Sequence, residues 1–193
     1  AFITAKQAHV PVMVIREDDP FDEMQVLVVP SVFELGEGTW ERLSEFVQGG
    51  GTLHMSYGGG DADPALRDLF GIEFLGDGGP RSSLSCRVAH ADILGDLESF
   101  DVRFEVPYLA HLSGGTATIV ATDAKGSPLL TINQAGQGRA VYCAVPLERA
   151  IAQGDAWATP SQVRTLACEL YGAVARGAGA VSLDRLLGLE RAE

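Results

Sequence analysis

The chain has 193 residues, 46% of them apolar, and a mean hydropathy of +0.12. That is enough to bury a substantial core in one domain, and no run of about 18 apolar residues is there to span a membrane. With 14 Lys+Arg against 26 Asp+Glu, the formal charge of −12 works against a nucleic-acid partner and reads as a solubility feature.

The chain opens in AFITAKQAHVPVMVI, which reads as the end of a helix running into a strand. Residues 7–15 lack the basic flank and small-residue cleavage site of a signal peptide. Residues 11–16 (PVMVIR) and 25–30 (QVLVVP) are short Val-rich runs that suit strands buried on both faces, joined by the acidic EDDPFDE. A helix follows in ELGEGTWERLSEFVQGGG, with Thr39 as N-cap and Glu41 in the first turn. Trp40, Leu43, Phe46 and Val47 share one face of it. Gly49–Gly51 end the helix and turn into the strand TLHMSY. After Gly58–Gly60, Asp63 caps a helix that begins at Pro64, turns Leu66, Leu69 and Phe70 inward and ends at Gly71. The run IEFL then reads as a strand. Alternating strands and helices over the first 75 residues predict a parallel α/β sheet with right-handed crossovers.

The second half changes character. Residues 83–89 and 102–109 look like strands, with a short helical stretch near HADILGDLESF between them. Residues 116–122, 128–133 and 139–145 are strands separated by DAKGS and QAGQG, an antiparallel meander. Residues 159–175 form a helix capped by Thr159 and started by Pro160, with Val163, Leu166, Leu170 and Val174 on one face. Residues 1–180 read as one domain and 181–193 as a tail or the start of a further segment. The tail VSLDRLLGLERAE starts another helix. Both ends suggest a piece of a longer protein.

Ser56-Tyr57-Gly58-Gly59-Gly60 follows a strand and precedes a helix, the place where open parallel sheets bind ligands. The consecutive glycines, the missing Lys and the acids Asp61 and Asp63 serve a phosphate poorly. A nucleophile elbow would need Gly where His54 stands. A turn between strand and capped helix is the favoured reading, and Ser56 is the catalytic candidate of the alternative one. Glu148, directly after a strand in VPLE, either points into a cleft or sits at a helix N-terminus as the dipole favours. Trp157, in QGDAWATP, either stacks on a sugar or plugs the start of the next helix. His9, His54, His90 and His111 carry no partner motif for general base catalysis. Cys86, Cys143 and Cys168 are odd in number and far apart, and read as reduced thiols of a cytoplasmic protein. No CxxC, HExxH or Cys/His cluster is present, so neither metal nor cofactor is expected.

The stretch QVLVVPSVFELGEGTWERLSEFVQGGGTLHMSY resembles the β-galactosidase trimerisation domain, within the class I glutamine amidotransferase-like superfamily. GSPLLTINQAGQGRAVYCAVPLE is similar to a later part of the same family, and the resemblance runs over about residues 10–150. It implies a flavodoxin-like three-layer sandwich with a mainly parallel sheet and an antiparallel meander in the second half. It also implies a non-catalytic accessory role beside a separate (β/α)8 glycoside hydrolase barrel, through packing on that barrel and homo-oligomer contacts. The catalytic acids belong to the barrel, so none is carried onto this chain. The amidotransferases place a Cys near Ser56-Tyr57 and a later His-x-Glu, and both are missing here. The family sheet opens with a strand ahead of the helix in which this chain begins, which puts the completeness of the sheet in doubt. The alternatives are an amidotransferase-like hydrolase using Ser56, or a carbohydrate-binding module using Trp157.

Overall fold

A computed structural model describes residues 1–59, 64–79, 81–90, 99–106, 109–153 and 162–179. The elements in chain order are α1 (Phe2–Gln7), β1 (Val26–Val29), α2 (Glu37–Gln48), β2 (Thr52–Ser56), α3 (Pro64–Phe70) and β3 (Ile72–Asp77). β4 (Arg81–Val88), β5 (Phe100–Val106), β6 (Ala110–Gly114), β7 (Thr118–Thr122), β8 (Pro128–Ala135) and β9 (Gly138–Cys143) follow. Helices α4 (Leu147–Gln153) and α5 (Gln162–Gly177) close the described chain.

One seven-stranded sheet has the order β1-β2-β9-β8-β7-β4-β5, and β3 and β6 form a separate antiparallel pair. Among the described residues, β1–β2 and β2–β9 pair in parallel, and β9–β8, β8–β7, β7–β4 and β4–β5 are antiparallel. The sheet is therefore mixed, which corrects the expectation of a mainly parallel one. Strand β2 is central to the parallel part and buried along its whole length. That burial explains why its sequence, TLHMS, shows no clean polar alternation. The meander over β7, β8 and β9 is antiparallel as expected, and its register sets Leu130 opposite Cys143 and Ala135 opposite Gly138.

One strand expectation fails, and one expected strand lies outside the main sheet. Residues 11–16 form no strand, and Met13 and Val14 are 62% and 76% exposed. Their composition suits a strand, but a parallel crossover onto β1 needs about a dozen residues or more, and residues 17–25 are too few. The IEFL stretch is a strand, yet it pairs with β6 outside the main sheet. Helix α2 also starts differently from its sequence. Gly36 is the N-cap with no side-chain cap bond of its own. The cap comes from Glu17, whose carboxylate accepts from the Gly36 N–H at 3.0 Å and from the Thr39 hydroxyl. Those two donors hold the Glu17 carboxyl below the usual carboxylate range. The caps expected at Asp63 and Thr159, the helical stretch at 91–98, Trp157 and the tail 181–193 lie outside the described residues.

The core gathers Leu43 and Val47 from α2, Leu53 and Met55 from β2, and Phe70 from α3. Val141 and Tyr142 from β9 and Leu166 and Leu170 from α5 join them. Alternation along β2 sends His54 and Ser56 to the opposite face from Leu53 and Met55. Helix α5 covers that opposite face, where Tyr171 packs edge-on against His54 with ring centroids 5.6 Å apart. Two polar side chains thus point into a covered face, and they need partners there.

Candidate functional site

The partners converge at the carboxyl ends of the parallel strands. Ser31 follows β1, Ser56 ends β2, and Glu148 lies in the first turn of α4, just after β9. The Glu148 carboxylate accepts three hydroxyl bonds: from Ser31 at 2.9 Å, from Ser56 at 3.3 Å and from Tyr171 at 2.5 Å. Oε2 serves Ser31, while Oε1 serves both Ser56 and Tyr171. One carboxylate therefore ties together β1, β2, α4 and α5.

The Ser56 hydroxyl has one proton, and it goes to Glu148. Its oxygen is then free to accept from His54 Nε2, 3.3 Å away. A His54 ring proton on Nε2 would complete that chain. Nδ1 is left without a hydrogen-bond partner among the described residues. His54 is 0% exposed. Burial drives its pKa down; Glu148 and the Val141 backbone pull the other way and do not prevail. Burial, reinforced by the Glu148 charge and hydrogen bond, raises the pKa of the Tyr171 phenol, so it stays a donor. Burial likewise raises the pKa of the Cys143 thiol, which sits opposite Ser56 in the β2–β9 ladder and is no thiolate nucleophile at neutral pH.

The two catalytic candidates from the sequence, Ser56 and Glu148, are thus in contact, and His54 joins them. The order differs from a nucleophilic triad, where the acid holds the far nitrogen of the histidine. Here the acid holds the serine, and Ser56 is 1% exposed. Tyr171 and Ser31 were missed by sequence reasoning. Tyr171 lies in an apolar helical stripe, and Ser31 looks like an ordinary residue after a strand-ending proline. Glu148 is the first-turn acid of α4, and its carboxylate turns to the hydroxyls at the strand ends. Of the other histidines, His9, His90 and His111 are exposed. Cys86, Cys143 and Cys168 are free thiols, and burial pushes Cys86 up to about 11.

Packing leaves no room for a side chain at Gly51 or Gly58. A Cβ on Gly51 would lie 2.3 Å from the Phe46 ring, and one on Gly58 would lie 1.8 Å from the Val32 carbonyl oxygen. An open cleft of about 580 Å³ is lined by Asp18, Pro20, Phe21, Asp22, Arg42, Glu45 and Phe46. Its Arg42 is committed to the Glu17 and Asp19 carbonyls and to the Phe21 ring. No group of three potential metal ligands occurs among the described residues, and no helix among them is long and apolar enough to cross a membrane.

Residues 2–154 match the family model of the β-galactosidase trimerisation domain. Among curated proteins, β-galactosidase BglY of Alicyclobacillus acidocaldarius subsp. acidocaldarius is 31% identical over 159 residues, covering 73% of this chain and 22% of that protein. β-Galactosidase Pbg of Clostridium perfringens is 32% identical over 155 residues, covering 70% and 22%. The chain therefore spans about a fifth of the length of the curated relatives it matches. The solved GH42 β-galactosidase Gan42B from G. stearothermophilus shares the fold with a TM-score of 0.72 at 21% identity, over 94% of this chain and 25% of that one. The β-galactosidase of Rahnella sp. R3 gives a TM-score of 0.71 at 20% identity, over 93% and 26%.

Proposed function

The chain belongs to the β-galactosidase trimerisation domain family, and we propose on that footing that it serves the assembly of a larger glycoside hydrolase. It is the non-catalytic accessory part of such an enzyme. In this reading a separate (β/α)8 barrel of the same parent polypeptide cleaves β-galactosides, and this domain packs on the barrel and joins neighbouring subunits. The observation that carries the reading is the family match over residues 2–154, set against a coverage of only 22% of the curated relatives. The buried state of Ser56 supports it, because a hydroxyl 1% exposed offers nothing to a substrate. We read Ser56, His54 and Glu148 as a structural knot rather than a catalytic one.

The finer fold assignment, flavodoxin-like and of the amidotransferase-like superfamily, belongs to the same proposal. It is supported by the β1–α2–β2 crossover and by helices that pack on the sheet. Residues 1–180 form one domain in this reading, and three unpaired thiols fit a cytoplasmic enzyme. A sugar-stacking role for Trp157 has no observation in its favour among the described residues.

Sedimentation of the parent polypeptide with and without this domain tests the reading. Loss of the oligomer on deletion, with the barrel still folded, is the expected result. An oligomer that survives the deletion would refute it.

A further inference from the structure

The two oxygens of the Glu148 carboxylate are loaded unevenly. Oε1 takes Ser56 and Tyr171, and Oε2 takes Ser31 alone. Ser31 is also the strained member. Its φ of 47 is a left-handed conformation that L side chains avoid, and such strain persists only where the surroundings impose it. Ser31 is half-buried, whereas Ser56 and Tyr171 are 1% and 5% exposed. Water can take the Ser31 hydroxyl but not the other two, so Ser31 is the donor that Glu148 gives up at least cost.

His54 stands beside this carboxylate, one serine away. Its Nε2 lies 3.3 Å from the Ser56 oxygen, and Nδ1 has no hydrogen-bond partner among the described residues. The titratable groups on the elements packed round the ring are Glu148 from α4, Tyr171 from α5 and Cys143 from β9, while β1 sets Val28 beside it. Burial keeps the phenol and the thiol protonated, so the charge that acts on His54 is that of Glu148. An imidazolium donates from both nitrogens, and buried it needs a carboxylate to offset its charge. We propose that the Ser31 turn is an acid-released latch: a protonated His54 draws the Glu148 carboxylate toward itself, Oε2 leaves Ser31, and the turn after β1 relaxes out of its left-handed conformation. The proton enters below the ordinary histidine value of about pH 6.5, because burial outweighs the Glu148 charge. The turn is thus held at neutral pH and freed by acid.

The test is a pH titration of this chain by NMR. It follows the Ser31 Cα and Cβ shifts, which report backbone conformation, together with the His54 ring shifts. The expected result is one midpoint, below about pH 6.5, at which His54 gains its proton and the Ser31 shifts move from left-handed to extended values. His54→Gln is expected to abolish the Ser31 step and leave the turn left-handed throughout. Ser31 shifts that stay constant while His54 titrates would overturn the latch. So would a Ser31 step that keeps its midpoint in His54→Gln, since the proton would then be going to Glu148. Global unfolding ahead of any Ser31 step would overturn it too. The wild-type titration decides even where His54→Gln does not fold, because unequal midpoints for the two residues break the link.

Discussion

At the scale of single residues, Glu148 decides the most. Glu148→Ala would leave the hydroxyls of Ser31, Ser56 and Tyr171 without their acceptor. A hydrogen bond to a charged group is worth about 1.5–3 kcal/mol and the losses are not additive, so we expect a cost of about 3 kcal/mol in urea unfolding. Tyr171→Phe removes one donor and should cost about 1–2 kcal/mol. A cost below about 0.5 kcal/mol for Glu148→Ala would mean the knot holds nothing. His54 adds a pH dependence of definite sign. Its folded-state pKa is lowered by burial, so below about pH 6.5 the unfolded chain binds a proton that the native state refuses. Stability should fall as pH drops from about 6.5 toward that lowered value, and His54→Gln should flatten the slope. The sequence offered Ser56 and Glu148 as candidates because each directly follows a strand. It hid Tyr171, since a tyrosine in an apolar helical stripe looks like core until its hydroxyl is seen to find a carboxylate.

At the scale of elements, sequence was informative where local chemistry decides and silent where pairing does. Helix α2, strand β2 and the β7–β8–β9 meander were all legible, from helical periodicity, glycine turns and Val/Leu-rich runs. The fate of residues 11–16 and of β3 was not legible, because which strand pairs with which depends on distant chain. The N-cap of α2 was hidden for the same reason, since it comes from Glu17 across a loop. That cap is exposed and its carboxyl is held low. Its contribution is present above the ordinary carboxylate range and lost as pH falls through the lowered value. Glu17→Gln should therefore speed amide exchange in the first turn of α2 at neutral pH, and unchanged rates would remove Glu17 from this role. Gly51→Ala would drive a methyl into the Phe46 ring. We expect a loss of about 1–3 kcal/mol, the range for overpacked sites. A second change, Phe46→Leu, should restore part of it; no recovery would place the strain in the backbone instead.

At the scale of the whole molecule, the sheet is divided by direction. Three parallel strands, β1, β2 and β9, carry the polar knot at their carboxyl ends, and the antiparallel strands extend the sheet away from it. In open α/β sheets that end is where ligands bind. Here the protein's own hydroxyls, Tyr171 among them, gather around Glu148. Helix α5 lies beyond the family match at residue 154, yet it supplies Tyr171 and covers His54. Activity separates the readings most directly. The measurement is turnover of aryl β-galactosides and of glutamine by this chain alone, beside its parent polypeptide. The expected result is β-galactoside hydrolysis by the parent and neither reaction by the isolated chain. Turnover of either substrate by the isolated chain, abolished by Ser56→Ala, would contradict it.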